Sequence, residues 1–341
     1  MTKKQLFTLF FLILILSGYF YISGIIGVVG FSLALFIYSV FFYILYYFLK
    51  KFKDKNYTFF SYQNYNVFLN YFLNRIVALI VTLFVIIGGF AYYENDISPA
   101  TIPVYKITNG DKTVIFHGMS HIGTKDFYNK VKENIKKYKK LGYTLYFEGV
   151  RPGNEQNHKD FDNALGVKFD EKTYDSFSKL YGLVNQDNSI FLNLVNNKDI
   201  NVDVSMDDIM EKYNNIKQTS GLQNRQYNQP IDINDVVVRE LSKLNPKELE
   251  LFRYVNKSFI NFILKSEEIQ STIQNNFSNK ELFEVILDER NKVIADKIIH
   301  SEDKNIIATY GLLHFKGIFE LLKQNDVKWR IEKIDYLYPL K

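Results

Sequence analysis

The sequence predicts an α/β domain, a mixed sheet with flanking helices, preceded by three transmembrane helices. Three observations lead there. Residues 6–49 contain no Asp, Glu, Lys, Arg or His. From about residue 101 onward, short β-like runs alternate with helical periodicity. Two of those runs lead into Gly-x-x-His, in "KTVIFHGMSHIG" (112–123) and "NIIATYGLLHFKG" (305–317), although the chain has only five histidines.

The uncharged stretch is about twice the roughly 20 residues one helix needs to cross a bilayer. It reads as spans at about 5–22 and 25–48, joined by a turn around Gly24. "IVALIVTLFVIIGGFAYY" (76–93) is equally free of charge and forms a third span. A cleaved signal peptide would have a shorter apolar core ending at a small-residue cleavage site. Lys3, Lys4, Lys50, Lys51, Lys53, Lys55 and Arg75 all fall on one side of a three-span arrangement, and such residues are retained in the cytoplasm. The expectation is a multi-pass cell-membrane protein in contact with lipid, its N-terminus cytoplasmic and everything after about residue 95 outside. Residues 56–74, rich in Tyr, Phe and Asn, are expected along the membrane surface as an aromatic belt or as a polar cytoplasmic loop. The domain organisation is then a membrane region, 1–98, and an extracytoplasmic α/β domain, 99–341.

The net charge of +5 belongs to the membrane region, because residues 1–98 carry seven Lys/Arg against three Asp/Glu and the remainder is nearly neutral. No basic patch marks a nucleic-acid partner. The absence of cysteine removes disulfides, thiolate ligands and cysteine nucleophiles together.

β-like runs fall at 113–117, 144–150, 200–206, 305–311 and 329–338. Thr124 is placed to cap a helix with apolar positions Phe127, Val131, Ile135 and Tyr138, and Gly142 to end it; with the strands on either side it makes a βαβ unit. Residues 155–300 are mostly helical by periodicity, with a loop expected at 218–235.

In open α/β sheets, ligands gather outside the carboxyl ends of the strands, and His121, Glu148 and His314 fall at such ends. Gly118 and Gly311, ahead of the two histidines, permit a tight turn or a close backbone approach. Two imidazoles and a carboxylate suit a divalent metal with open positions. On the helical run 281–300, Arg290 falls in the middle of an apolar arc, where a cation needs an acidic or oxyanionic partner. Arg151, just beyond Glu148, serves the same site or is a surface charge. His117 reads as a packing residue, His158 and His300 as surface residues. Asp203, Asp207 and Asp208 lie at another strand end, where helix capping accounts for Asp207 or Asp208. His-Glu-x-x-His, Gly-x-Ser-x-Gly and Walker-type patterns are missing from the sequence, so zincin, serine hydrolase and P-loop chemistry lack their parts.

Gly118-Met119-Ser120-His121, the strand ending in Glu148 with Arg151 beyond it, Glu289-Arg290-Asn291 and Gly311-Leu312-Leu313-His314 together resemble the TraB/PrgY, Tiki and GumN family over roughly residues 112–330. The resemblance implies a fold related to the erythromycin-esterase and ChaN-like proteins. It implies metal-dependent proteolysis outside the cell for Tiki-like members, and pheromone shutdown among bacterial ones. His121, Glu148 and His314 match the paired Gly-x-x-His and glutamate positions, and Arg290 the family arginine.

The expected function is that of a membrane-anchored metallopeptidase, a hydrolase of extracytoplasmic peptides or proteins. A divalent ion (manganese, cobalt, zinc or iron) is held by His121, His314 and Glu148, with Glu148 as ligand or as general base, and Arg290 or Arg151 stabilises the oxyanion. The alternatives are a binding protein that sequesters a peptide pheromone or haem-like ligand, and a scaffold for membrane partners.

Overall fold

The computed structural model describes residues 2–341 except 169–170, 187–190, 192, 221–229 and 276–278. The expected loop at 218–235 lies largely outside the described residues. The chain divides into two compact units, Met1–Tyr92 with Lys243–Val255, and Tyr93–Ser242 with Asn256–Lys341.

The first unit contains helices α1 (Lys3–Lys53) and α2 (Tyr62–Tyr92). Both are long and apolar enough to cross a membrane. Two such helices stand where three separate ones were expected, because α1 takes in both of the first two candidate spans. It is interrupted at Gly24, whose φ of 66° and ψ of −166° are not helical. Tyr19 stacks on Phe31 at 4.9 Å between ring centroids, whereas twelve residues of straight helix would separate them by about 18 Å. The helix therefore bends sharply at that glycine. Thr2 and Gln5 form a capping box at its start, and Lys50, Lys51 and Lys53 close its last turn. Many of the large apolar side chains of both helices, including Phe7, Phe10, Ile26 and Phe84, are exposed.

Helix α2 begins well before the apolar segment at 76. The stretch expected as a surface belt or loop is helical from Tyr62, for a visible reason. Asn66, Asn70 and Asn74 are spaced four apart, and each following amide donates to the carbonyl one turn earlier, at 2.9 and 2.6 Å. Gln5 donates to Asn70 at 3.1 Å and Thr8 bonds Asn74, while Tyr43 packs among Phe59, Tyr65 and Phe68.

In the second unit the strands are β1 (Ile102–Thr108), β2 (Thr113–Met119), β3 (Ile122–Gly123), β4 (Thr144–Phe147), β5 (Val184–Asn185), β6 (Ile200–Asn201), β7 (Asn305–Gly311) and β8 (Arg330–Leu337). The helices are α3 (Lys125–Lys140), α4 (Glu155–Leu165), α5 (Glu171–Tyr181), α6 (Met206–Ser220), α7 (Ile233–Leu241), α8 (Pro246–Lys265, whose first half belongs to the first unit), α9 (Glu267–Asn275), α10 (Lys280–His300) and α11 (His314–Asn325). Six strands form one mixed sheet in the order β6-β4-β7-β2-β1-β8, with β6, β4, β7 and β2 parallel and β1 and β8 antiparallel to their neighbours. β1 had no counterpart in the sequence reading, and the runs at 144–150 and 200–206 pair only over their first few residues.

Alternation along the buried parallel strands sends side chains to two cores. Val114, Phe116, Ile306 and Ala308 pack with Ile294 and Ile298 of α10 and Ile318 and Leu322 of α11. Ile115, Leu145 and Ile307 pack on the other face with Phe127, Val131 and Ile135 of α3. Thr124 caps α3 through Phe127 N–H, and Gly142 follows its end at φ 87°. β2 thus leads to a helix on one face and its neighbour β7 to a helix on the other. The crevice between their carboxyl ends is a topological switch point, the usual place for a ligand in such sheets.

Candidate active site

Glu148 follows β4, and its N–H still bonds Thr309 O of β7 at 3.0 Å, so its backbone is fixed by the sheet. Its side chain is 13% exposed and has partners on both oxygens. Oε1 accepts from Arg290 Nη2, and Oε2 from the Gly311 N–H at 2.5 Å. Arg290 reaches the site from α10 and divides its donors between two carboxylates, giving Nε and Nη2 to Asp203 Oδ1 and Oδ2 at 2.9 Å each. Asp203, fully buried at its side chain, also accepts from the N–H groups of Gly149 and Val204. The arginine placed by periodicity on an apolar arc is therefore buried and doubly paired.

Burial alone would raise the Glu148 pKa, but the Arg290 charge, the two histidines and the Gly311 N–H outweigh it and hold the carboxyl below its ordinary range. For Arg290 burial works toward a lower pKa, and the two carboxylates more than reverse it. The cluster carries one positive and two negative charges, leaving a surplus of one negative charge beside the histidines.

His314 opens α11 and is buried. Its Nδ1 lies 2.8 Å from Asn291 Oδ1, so Nδ1 carries the proton and Nε2 presents a lone pair. Burial pushes its pKa down to about 4, with Arg290 adding to the fall and Glu148 opposing it. Gly317 makes this contact possible: a Cβ there would lie 2.3 Å from Asn291 Nδ2. His121, beyond β2, keeps solvent exposure, yet enough protein surrounds its ring that burial lowers its pKa, against the pull of Glu148. Its carbonyl accepts from Gln186 N–H at 2.8 Å, and the β3–β5 ribbon fixes the turn that follows. The Tyr174 ring of α5 lies 4.6 Å from the His121 ring.

The two motif glycines differ. A Cβ on Gly118 would come within 2.8 Å of Ile102 and 3.2 Å of Pro103 O, so close approach requires glycine. On Gly311 a Cβ would make only ordinary contacts with His314 and Glu148; what Gly311 contributes is its N–H. Arg151 stands apart. Its side chain is exposed, 3.7 Å from Asp208, while its backbone bonds Val204 and Met206 and steadies the chain after β6. His117 is fully buried with both ring nitrogens unpartnered, and His158 and His300 are exposed. Asp207 accepts from Asn154 and Asn157, whereas Asp208 bonds Ser205 at the start of α6.

Sequence reasoning missed Tyr174 and Tyr310, placed Asp203 at a strand end without giving it a role, and met Asn291 only as the neighbour of Arg290. Asp203 carried a usable signal, since an acid between Val202 and Val204 needs a partner as much as Arg290 does. The buried Tyr310 ring lies edge-on to His314, 5.8 Å away. A groove of about 730 Å³ beside β6, between α6 and α10, touches the cluster only at Asp203 and is separate from the crevice holding the histidines.

The donor types suit a divalent cation, and two of the three have a hydrogen-bond partner on their outer side. Glu148 is steadied by Arg290 and Gly311, and His314 by Asn291, as ligands are in metal centres. Among the described residues no group of three or more His, Asp or Glu side chains is placed to hold a metal ion. No protein-family model, curated protein or solved structure matches the chain.

Proposed function

We propose that this chain is a membrane-anchored, metal-dependent peptidase acting on extracytoplasmic peptides or proteins. The observation that carries the reading is the crevice at the switch point. An ionised Glu148 and a neutral His314 with a free lone pair share it, and His121 lies within their electrostatic reach. The motif resemblance to Tiki-like proteases supports the same chemistry. His121, Glu148 and His314 would hold the ion. When bound, a divalent cation there polarises the scissile carbonyl and acidifies a water. Arg290 keeps Glu148 ionised, which favours the carboxylate as ligand over general base, because a strongly acidic carboxyl accepts protons poorly at neutral pH. Three of the five Arg290 N–H groups go to Glu148 and Asp203, so its main contribution is to fix the carboxylates. Arg151 takes no part.

The membrane arrangement belongs to the same reading. The break at Gly24 divides α1 into two arms, and with α2 they make three spans. Asn245 donates to Ile22 O at 2.9 Å and Lys247 to Tyr21 O at 3.0 Å, beside the bend; in this reading it is the lysines at 3–4 and 50–55, retained in the cytoplasm, that put the bend outside.

The test is to incubate the purified full chain in detergent with a diverse peptide pool, with and without manganese or cobalt. Products are then compared by mass spectrometry with those of His121→Ala. Chelator-sensitive cleavage that the variant lacks is the expected result. A folded, metal-loaded chain that cuts nothing yet retains a peptide or haem would replace the peptidase reading with sequestration.

A further inference from the structure

The two edges of the six-stranded sheet differ. β6 is two residues long, whereas β8 offers eight, of which all but Leu337 are exposed. Ile331, Ile334 and Tyr336 are 40%, 39% and 58% exposed, and an edge of this kind is a template for another strand. The direction of its backbone groups follows from the ladder. Thr113 donates its N–H to Lys304 O, toward β7, so Thr108 opposite it turns its own groups toward β8. Alternation then turns Val104 and Lys106 to β8, and Pro103, Tyr105 and Ile107 to β2. Pro103, which has no N–H to give β8, agrees with that phase. The β8 partners of those last three, Tyr336, Ile334 and Ile331, therefore point N–H and C=O outward. In a regular strand Ile331 and Ile334 would point opposite ways; the register shift between Lys106 and Ile107 brings them into phase and onto one face.

We propose that two copies of this chain pair antiparallel along β8, about a two-fold axis between Glu332 and Lys333. In this register Ile331 meets Ile334 of the second copy, and the two exchange outward backbone bonds. Arg330 meets Asp335 and Glu332 meets Lys333, so each charge finds its opposite on the same face of the joined sheet. The neighbouring register, centred between Lys333 and Ile334, would set Glu332 against Asp335 and is disfavoured. Within one copy Glu332 bonds Lys106 and Lys333 bonds Asp335, at 2.7 Å each; exposed pairs of this kind hold weakly and are free to exchange.

The chain has no cysteine, which makes a register test clean. Ile331→Cys and Ile334→Cys are purified separately as full chains in detergent, then mixed and oxidised. A hydrogen-bonded pair has its Cα atoms about 5.5 Å apart, within disulfide range. The mixture should give several-fold more linked dimer than either variant alone, where like cysteines lie roughly 10 Å out of register. Lys333→Glu should yield monomers, and adding Glu332→Lys should restore the dimer. A wild-type chain that light scattering finds monomeric at micromolar concentration would overturn the proposal. So would single variants that cross-link as well as the mixture.

Discussion

Glu148 and Arg290 lie 142 positions apart in sequence and meet as an ion pair almost wholly out of solvent, with Asp203 on the other side of the same guanidinium. One cation thus ties the ends of β4 and β6 to α10. Removing it would leave two carboxylates buried together without compensation.

Arg290→Ala should therefore cost about 3–5 kcal/mol of stability. Arg290→Lys should recover little, since an ammonium cannot reproduce the fork that spans both acids. Chemical unfolding of the purified chain measures both. A loss below about 1 kcal/mol for Arg290→Ala, the range of an exposed pair, would mean that the pair is not the clamp described here.

The glycines should separate by mechanism. Gly118→Ala and Gly317→Ala push a methyl into Ile102 and Asn291 and should each cost about 1–3 kcal/mol. Gly311→Ala meets only ordinary contacts and should stay near wild type in melting temperature. Equal losses at all three would contradict the close approaches assigned to the first two.

His117 makes stability depend on acid. Burial with no partner lowers its pKa from 6.5 to about 4, so below pH 6.5 the unfolded chain takes up a proton that the folded chain refuses. The contribution is complete above that pH and is lost as pH falls toward 4, a loss on the order of 3 kcal/mol. His314 loses stability in the same direction over the same window. His117→Leu should therefore flatten the dependence of unfolding midpoint on pH between 6.5 and 4 without abolishing it. An unchanged slope would contradict a neutral, buried His117.

Topology has its own test. Reporter fusions after Asn56 and after Ser98 should report opposite compartments, cytoplasmic for the first and external for the second. One compartment for both would rule out three spans.

Much of this architecture was legible because it depends on periodicity. The alternation of β2 and β7 and the apolar stripe of α3 are local patterns, and the end-of-strand rule located Glu148 and His314 without coordinates. What escaped depends on contacts distant in sequence. β1 pairs between β2 and β8 and reads locally as an unremarkable stretch, "IPVYKIT". Asp203 gains its meaning from Arg290, 87 positions away. Asn291 gains its own from the glycine that lets α11 approach. The turn read at Gly24 is local as well, and α1 breaks at that residue, where the backbone leaves helical geometry.

In the proposed site residues far apart in sequence make one metal centre, and metal content decides whether they do. The full chain, purified and equilibrated with manganese, cobalt or zinc, should hold about one ion per folded chain. His121→Ala, His314→Ala and Glu148→Gln should each lose most of it while remaining folded. Stoichiometric metal that survives all three substitutions, or a folded wild-type chain that binds none of the three ions, would contradict the account.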